Sequence, residues 1–181
     1  QSADLRGADL SGAVARRARG FDMRILYNNR RPSPELEAET GAAFCGLDDL
    51  LRESDFVVVL VPLTPQTRGM FGAREFALMK PTALFIDISW AGIVNHKDLA
   101  DALKAGKLAG AALDLCDTFP VARDDPILEA PNTVLTPHLA WQTRESYNRS
   151  AKVVVDSIIS YLNGSPINVA NPAALKSKTE A

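Results

Sequence analysis

The segment Phe56-Val57-Val58-Val59-Leu60-Val61 is the most informative about the architecture of this chain. A continuous run of β-branched and aliphatic residues of this length is typical of a β-strand that helices cover on both faces. Directly ahead of it, residues 47–54 place Leu47, Leu50 and Leu51 on one face of a helix. A helix that leads into a buried strand is the repeating unit of α/β proteins, so this segment predicts a sheet with helices on its faces.

The same alternation of apolar runs and helical-period segments extends in both directions along the chain. It predicts right-handed βαβ units and therefore a doubly wound, mainly parallel sheet of the Rossmann type. We assign residues 1–165 to this single domain and residues 166–181 to a tail. Further strands are predicted at residues 24–27, 83–88, 108–115 and 133–136. Further helices are predicted at residues 13–20, 74–80, 97–105 and 144–162.

Bulk composition excludes several classes of protein. The chain has 181 residues, 46% hydrophobic and 23% charged, with a formal net charge of -2 and charges of both signs interspersed. This suits one globular domain, and no basic surface for nucleic acid is expected. The run at residues 56–61 is too short to span a membrane, and residues 1–20 are too polar for a signal peptide. Cys45 and Cys116 form no metal or disulfide pattern, which indicates buried, inert thiols, no metal site and a cytoplasmic protein.

The sheet indicates which loops should carry chemistry. Ligands of doubly wound sheets bind beyond the carboxyl ends of the parallel strands. We therefore expect functional residues in the loops after Tyr27, Val61, Ile88, Leu115 and Thr136.

Residues 3–13 contain two copies of a five-residue A-D-L-x-G unit, and two interpretations of them are open. They resemble pentapeptide-repeat sequence, although two copies cannot bury a solenoid core. They also fit an altered dinucleotide fingerprint, G-x-G-x-x-G, in which Gly7 and Gly12 hold the first and third positions and Asp9 the second. An aspartate there adds bulk and negative charge beside the pyrophosphate. The preceding residues 2–6, SADLR, would make a poor central strand.

A polar, basic turn comes directly after the strand predicted at residues 24–27. An acidic residue at this position accepts the ribose hydroxyls of NAD, whereas arginine accommodates the 2′-phosphate of NADP. The chain has Asn29, Arg30 and Arg31 there, which favours NADP over NAD. The alternative is a solvated turn ahead of Pro32.

Four segments carry a resemblance to a known family. They are ARRARGFDMRILYNNRR at residues 15–31, VPLTPQTRG at 61–69, FGAREFALMK at 71–80 and PNTVLTPH at 131–138. From about Ala13 onward the chain resembles the nucleotide-binding domain of D-isomer-specific 2-hydroxyacid dehydrogenases. It looks most similar to the branch of glyoxylate/hydroxypyruvate and 2-ketogluconate reductases.

The resemblance implies hydride transfer between a nicotinamide and a small 2-keto or 2-hydroxy acid. This chemistry needs a histidine as acid and base, a carboxylate that orients it, and an arginine that clamps the substrate carboxylate. His138 matches the histidine. Trp90 stands at the arginine position and Phe119 at the glutamate position, and neither can perform the lost role. Asp117 lies two residues before Phe119 and is not assigned a role.

The resemblance also implies a set of cofactor contacts by motif position. Ser89 and Thr67 have helix capping as an equally good alternative role. His96, at an apparent helix start, is expected to be solvated. The implied contacts are Gly7, Leu10, Ser11, Gly12, Asn29, Arg30, Arg31, Pro62, Leu63, Thr67, Ile88, Ser89, Trp90, Asp114, His138 and Ala140.

In this family a second, substrate-side domain is built mainly from chain ahead of the nucleotide domain, and the active site is the cleft between the two. We therefore expect the chain alone to be inactive or nearly so, because one wall of that cleft is absent. A homodimer through the nucleotide domain is also implied. The alternatives are a non-catalytic nucleotide-binding or dimerisation module, and an inactive fragment.

Overall fold

The computed structural model describes residues 10–118 and 120–172. Helices and parallel strands alternate along them, as the sequence predicts. The strands are β1 (Leu26–Tyr27), β2 (Ala43–Phe44), β3 (Phe56–Val59), β4 (Leu84–Asp87), β5 (Gly110–Leu113) and β6 (Thr133–Leu135). The helices are α1 (Leu10–Arg19), α2 (Pro34–Thr40), α3 (Leu47–Glu53), α4 (Ala73–Leu78), α5 (His96–Lys104) and α6 (Arg144–Leu162), with a 3₁₀ helix at Pro126–Glu129.

Every strand pairing among the described residues is parallel, which confirms the doubly wound α/β class. The strands form two sheets rather than one. β1 pairs with β2, and a four-stranded sheet has the order β3-β4-β5-β6. In the usual doubly wound order a further strand stands between the two that here are β1 and β3. Within residues 10–118 and 120–172, no strand pairs with the outer edges of β1 and β3.

The position of β3 at a sheet edge corrects one expectation. The sequence predicts that the run at residues 56–61 is covered on both faces. Val57 and Val59 are buried, but Phe56 is 49% exposed and Val58 is only partly buried. Val57 and Val59 therefore join the core, whereas Phe56 and Val58, on the other face of the strand, are less covered.

Helix α1 begins at Leu10, three residues earlier than the predicted start at Ala13. Ser11 and Gly12 therefore lie in the first helical turn rather than in a loop. The helix is tied to α2 by an ion pair between Arg16 and Glu39 at 2.9 Å. Gly7 and Asp9, two of the three fingerprint positions, lie outside the described residues.

Two elements, α2 and β2, were not predicted. The side chain of Ser33 accepts a hydrogen bond from the Leu36 N–H and so caps α2, and Pro34 occupies the first turn. Gly41 ends the helix with φ at +70°, a backbone conformation that favours glycine. The short strand β2 then pairs with β1.

The core lies between the four-stranded sheet and helices α3, α4 and α5. Phe85 of β4 makes edge-to-face contacts with Phe71 and Phe76, with ring centroids 5.2 and 5.3 Å apart. Leu99 and Leu103 of α5 are buried, as the helical spacing predicts. The parallel pairing of β4 with β5 and of β5 with β6 places their carboxyl ends side by side.

The described residues fall into two compact units, one up to Ala140 and one from Trp141 onward. Helix α6 belongs to the second unit, has the bounds that the sequence predicts, and is capped by the Thr143 side chain. Within the described part of the chain, no helix combines the length and apolarity needed to cross a bilayer.

Candidate functional site

His138 lies in a tight turn directly after β6. Its backbone has φ at +56°, the left-handed region that a non-glycine residue rarely adopts. The His138 N–H donates to the carbonyl oxygens of Asp114 at 2.8 Å and Thr136 at 3.0 Å. The turn therefore fixes the backbone of the predicted acid/base residue against the end of β5.

The buried carboxylate of Asp114 holds the same turn. It accepts hydrogen bonds from the Thr136 hydroxyl, from the Leu139 N–H at 2.8 Å and from the Ala140 N–H at 2.9 Å. Burial alone would raise the pKa of Asp114, but these hydrogen bonds outweigh burial and the pKa is lowered. Asp114 and Ala140, both predicted cofactor contacts, are thus bonded to each other beside His138.

A second buried aspartate lies at the end of β4. Asp87 accepts hydrogen bonds from the N–H and the hydroxyl of Ser89. Burial raises the pKa of Asp87, and the Ser89 hydrogen bonds only partly oppose that effect. Ser89 therefore closes a turn onto Asp87 and does not cap a helix. Ile88 beside it is half-buried.

Trp90 comes next in the same loop and is 58% exposed. Its indole offers one N–H donor and no charge. The loop is tied to the segment after β5 because the Asp117 carboxylate accepts from the Gly92 N–H at 2.8 Å. Asp117, which has no role predicted from the sequence, is thus a loop-bracing residue. Phe119, which the resemblance places at the glutamate position, lies outside the described residues.

The loop after β3 closes on itself through Thr67. The Thr67 hydroxyl donates to the Pro62 carbonyl at 2.7 Å and accepts from the Thr64 N–H at 2.8 Å. It braces the loop and does not cap a helix. Pro62 is exposed and Leu63 half-buried at the surface of this loop.

Asn29, Arg30 and Arg31 form an exposed turn after β1 and line a recess of about 450 Å³. The Arg30 N–H donates to the Asn29 side chain at 2.8 Å. Across the described ranges, neither arginine forms an ion pair with a carboxylate, in contrast to Arg16, which pairs with Glu39. The turn thus presents two uncompensated guanidinium groups to solvent.

The structure brings some predicted site residues together and separates others. The turns with Trp90, Asp114 and His138 come after the neighbouring strands β4, β5 and β6. Asn29, Arg30 and Arg31 come after β1 in the other sheet, and Leu10, Ser11 and Gly12 begin α1. Gly7 lies outside the described residues. In the described part of the chain, no group of three metal-ligating side chains is placed to hold a metal ion.

Two expectations about single residues were wrong. His96 is buried rather than solvated. Its Nδ1 lies 2.8 Å from Oδ2 of Asp125, and Asp125 also caps the 3₁₀ helix. Cys45 is only half-buried, since it comes after the short edge strand β2, whereas Cys116 is buried as expected. Burial is the largest cause of the raised pKa of both thiols, and neighbouring carboxylates add to it.

Comparison with known proteins agrees with this geometry. Residues 9–140 match the family model described as "D-isomer specific 2-hydroxyacid dehydrogenase, NAD binding domain". Glyoxylate/hydroxypyruvate reductase B of Escherichia fergusonii is 42% identical over 166 residues, which is 91% of this chain and 51% of that protein. Glyoxylate reductase of Thermococcus kodakarensis is 44% identical over 165 residues, 91% of this chain and 49% of that one.

Solved structures give the same result. A D-isomer specific 2-hydroxyacid dehydrogenase from Lactobacillus delbrueckii ssp. bulgaricus, in its NAD complexed form, superposes with a TM-score of 0.79 at 25% identity, covering 88% of this chain and 52% of that one. The formate dehydrogenase of Granulicella superposes with a TM-score of 0.84 at 26% identity, covering 90% and 44%. The chain spans about half the length of the curated relatives it matches.

Proposed function

The chain belongs to the D-isomer specific 2-hydroxyacid dehydrogenase family, and from that premise we propose that it binds NADP but does not by itself transfer hydride. The observation that carries the proposal is a contrast between two sites. The turn after β1 presents two unpaired guanidinium groups, whereas the loop after β4 presents Trp90 where the family places an arginine.

The residues present fit a nicotinamide dinucleotide at both of its ends. Arg30 and Arg31 would hold the 2′-phosphate of NADP, because two exposed guanidinium groups without partner carboxylates suit a dianion. Asp114, Ser89 and His138 would border the nicotinamide, beyond the carboxyl ends of adjacent strands. The reduced cofactor, when bound, supplies the hydride for reduction of a 2-keto acid.

The chain's own residues restrict the chemistry that is possible once the cofactor is bound. His138 would hold the proton that the substrate oxygen needs, and the turn anchored by Asp114 would keep its backbone in place. Trp90 provides no guanidinium group for bidentate binding of a substrate carboxylate, and its single uncharged indole N–H cannot replace one. We therefore propose that a small 2-keto or 2-hydroxy acid is the substrate class of the parent enzyme, and that this chain retains only cofactor recognition.

Two further proposals concern the compartment and the assembly of the protein. The unpaired thiols Cys45 and Cys116 suit the reducing cytoplasm as the compartment. A homodimer stays a proposal taken from the family.

Titration of the purified chain with NADPH and with NADH, measured by nucleotide fluorescence, tests the proposed function. We expect saturable binding of both nucleotides, with NADPH tighter by at least about tenfold, since each charge-assisted contact to the phosphate adds about 1.5–3 kcal/mol. Equal affinities would contradict the NADP assignment. The absence of a saturable signal with either nucleotide would contradict binding altogether.

A further inference from the structure

A chain of hydrogen bonds closes the turn at residues 28–32, which carries Arg30 and Arg31. Tyr27, the last residue of β1, lies directly before this turn, and Ser33 directly after it. The Ser33 N–H donates to the Tyr27 hydroxyl at 2.6 Å, and that hydroxyl donates to the Glu37 carboxylate at 2.6 Å. We call these three residues the Tyr27 bridge. The bridge joins the end of β1 to the first turn of α2.

The surroundings of Tyr27 fix both the position and the protonation of its side chain. The ring makes an edge-to-face contact with Phe44 of β2, with ring centroids 5.5 Å apart. Burial raises the pKa of Tyr27, the Glu37 carboxylate raises it further, and the Ser33 N–H only partly opposes them. The phenol is therefore protonated at neutral pH, so it can accept from Ser33 and donate to Glu37 at the same time.

The other end of the turn is fixed as well. The side-chain amide of Asn28 donates to the Cys45 carbonyl at 2.9 Å, directly after β2, and the Arg30 N–H donates to the Asn29 side chain. The turn is thus held at Asn28 and at Ser33, while Arg30 between them is exposed. The placement of the exposed guanidinium groups therefore depends on the backbone of the turn rather than on packing.

A turn that is already fixed favours the binding of a phosphate. Binding orders the residues that contact the ligand, and this ordering lowers the affinity unless the free protein already holds them in place. Because the Tyr27 bridge restrains the backbone on either side of Arg30 and Arg31, less order has to be gained when a phosphate binds.

We propose that Tyr27 and Glu37 are positioning residues for recognition of the 2′-phosphate of NADP. Glu37 holds the Tyr27 hydroxyl, and the hydroxyl holds the Ser33 N–H. The bridge thereby sets the backbone from which Arg30 and Arg31 extend, and neither Tyr27 nor Glu37 needs to contact the nucleotide. This inference rests on the proposed function, since it requires that the two arginines bind this phosphate.

Tyr27→Phe tests the hydroxyl, because it keeps the ring beside Phe44 but leaves the Ser33 N–H without its acceptor. In fluorescence titrations, NADPH binding should weaken by about three- to tenfold and NADH binding by less than about twofold, since only NADPH carries the 2′-phosphate. Tyr161→Phe, at an exposed tyrosine of α6, is the matched control and should change neither affinity. If Tyr27→Phe left the ratio of the two affinities unchanged, the proposal would be overturned.

Two substitutions of Glu37 separate its hydrogen bond from its charge. Glu37→Gln and Glu37→Leu both remove the charge at similar side-chain size, but only glutamine has an oxygen that can accept from the Tyr27 hydroxyl. The preference for NADPH over NADH should be at least about threefold greater in Glu37→Gln than in Glu37→Leu. Equal preferences would overturn the proposal. This comparison also decides if Tyr27→Phe fails to fold.

Hydrogen exchange without nucleotide distinguishes positioning of the turn from a general loss of structure. In Tyr27→Phe the Ser33 amide should exchange at least about tenfold faster, because it has lost its acceptor. The Gly41 amide, which donates to the Glu37 carbonyl at the end of α2, should not change. An unchanged Ser33 amide, or an equal acceleration at Gly41, would contradict the positioning role.

Failure of the proposed function would give a different result from failure of this inference. If the unaltered chain bound NADPH and NADH equally, there would be no phosphate recognition for the Tyr27 bridge to support, and both would be wrong. If the unaltered chain preferred NADPH and Tyr27→Phe kept that preference, only the inference would be wrong.

Discussion

Among single residues, Asp114 organises the region that carries His138. Its carboxylate accepts three hydrogen bonds from the turn after β6, and its carbonyl accepts the His138 N–H. A left-handed backbone at a non-glycine residue is unfavourable by about 1–3 kcal/mol and persists only where its surroundings enforce it. The contacts with Asp114 supply that enforcement, so the conformation of the His138 turn depends on this aspartate.

Asp114→Asn should destabilise the fold at neutral pH, because an amide cannot accept hydrogen bonds at both of its terminal atoms. The pKa of Asp114 is lowered in the folded state, so the ionised carboxylate stabilises the protein above its ordinary pKa of about 4, and this contribution is lost as the pH falls through the lowered folded value. Thermal unfolding from pH 3 to 7 measures this. The difference in melting temperature between Asp114→Asn and the unaltered chain should be largest at neutral pH and should shrink in acid. A difference that does not change with pH would contradict the stabilising role of the ionised carboxylate.

Asp87→Asn should stabilise the folded state at neutral pH, whereas Asp114→Asn should destabilise it. Burial raises the pKa of Asp87, so its ionisation destabilises the folded state as the pH rises above about 4. An asparagine can still accept the Ser89 hydrogen bonds through its carbonyl oxygen. The variant should therefore melt at a higher temperature than the unaltered chain at pH 7, by about a few degrees, and the gain should vanish near pH 3. Destabilisation at pH 7 would show that Asp87 is needed in its charged form.

The double substitution Arg30→Ala and Arg31→Ala tests the NADP assignment. Removing two charge-assisted contacts should weaken NADPH binding by about 10- to 100-fold and change NADH affinity by less than about twofold. Arg123→Ala, at an exposed arginine in the loop after β5, is the matched control and should leave both affinities unchanged. If the affinities for NADPH and NADH fell by the same factor, Arg30 and Arg31 would not be recognising the 2′-phosphate.

The sequence predicted His138 after a strand and Asp114 at the end of one, which is where they lie, but it misplaced His96. A histidine at a helix start is normally solvated, and nothing local distinguishes this one. Its partner Asp125 is 29 residues further along the chain, so only the fold brings the two side chains together. The bracing contact from Asp117 to Gly92 was not predicted for the same reason.

Among the helices and strands, long periodic segments were predictable and short ones were not. Helix α6 has the predicted bounds, and α3 and α5 begin within one residue of theirs. The two-residue strands β1 and β2 are too short for an alternation pattern to identify their ends. Helix α2 could have been found, since Ser33 followed by Pro34 and acidic residues is a helix-start signal.

Gly110, the first residue of β5, tests how tightly the sheet is packed. A Cβ there would lie 2.8 Å from the Asn132 carbonyl oxygen, a backbone atom that must then move. Gly110→Ala should lower the free energy of unfolding by about 1–3 kcal/mol in denaturant titration. Gly46→Ala, whose added Cβ would have its nearest neighbour 3.7 Å away, should cost less than about 1 kcal/mol. Equal costs would contradict the close approach of β5 and the segment before β6.

The described part of the molecule has the fold of its family, and we propose that its site lacks the charged group that would orient a substrate. The chain covers about half the length of its curated relatives, and its described strands form two sheets. The turns after β4, β5 and β6 lie at the ends of strands that belong to one buried hydrophobic core. In the function proposed above, cofactor recognition would depend on those turns, and substrate orientation would need charged groups that Trp90 and Phe119 do not supply.

Cofactor recognition without hydride transfer is tested by the rate of NADPH oxidation by the purified chain with glyoxylate or hydroxypyruvate at saturating cofactor. We predict a rate at or near background. We predict the same for the double variant Trp90→Arg and Phe119→Glu, because two restored side chains do not enclose a substrate. Robust, enzyme-dependent oxidation of NADPH by the unaltered chain would contradict the proposal that it recognises the cofactor without transferring hydride.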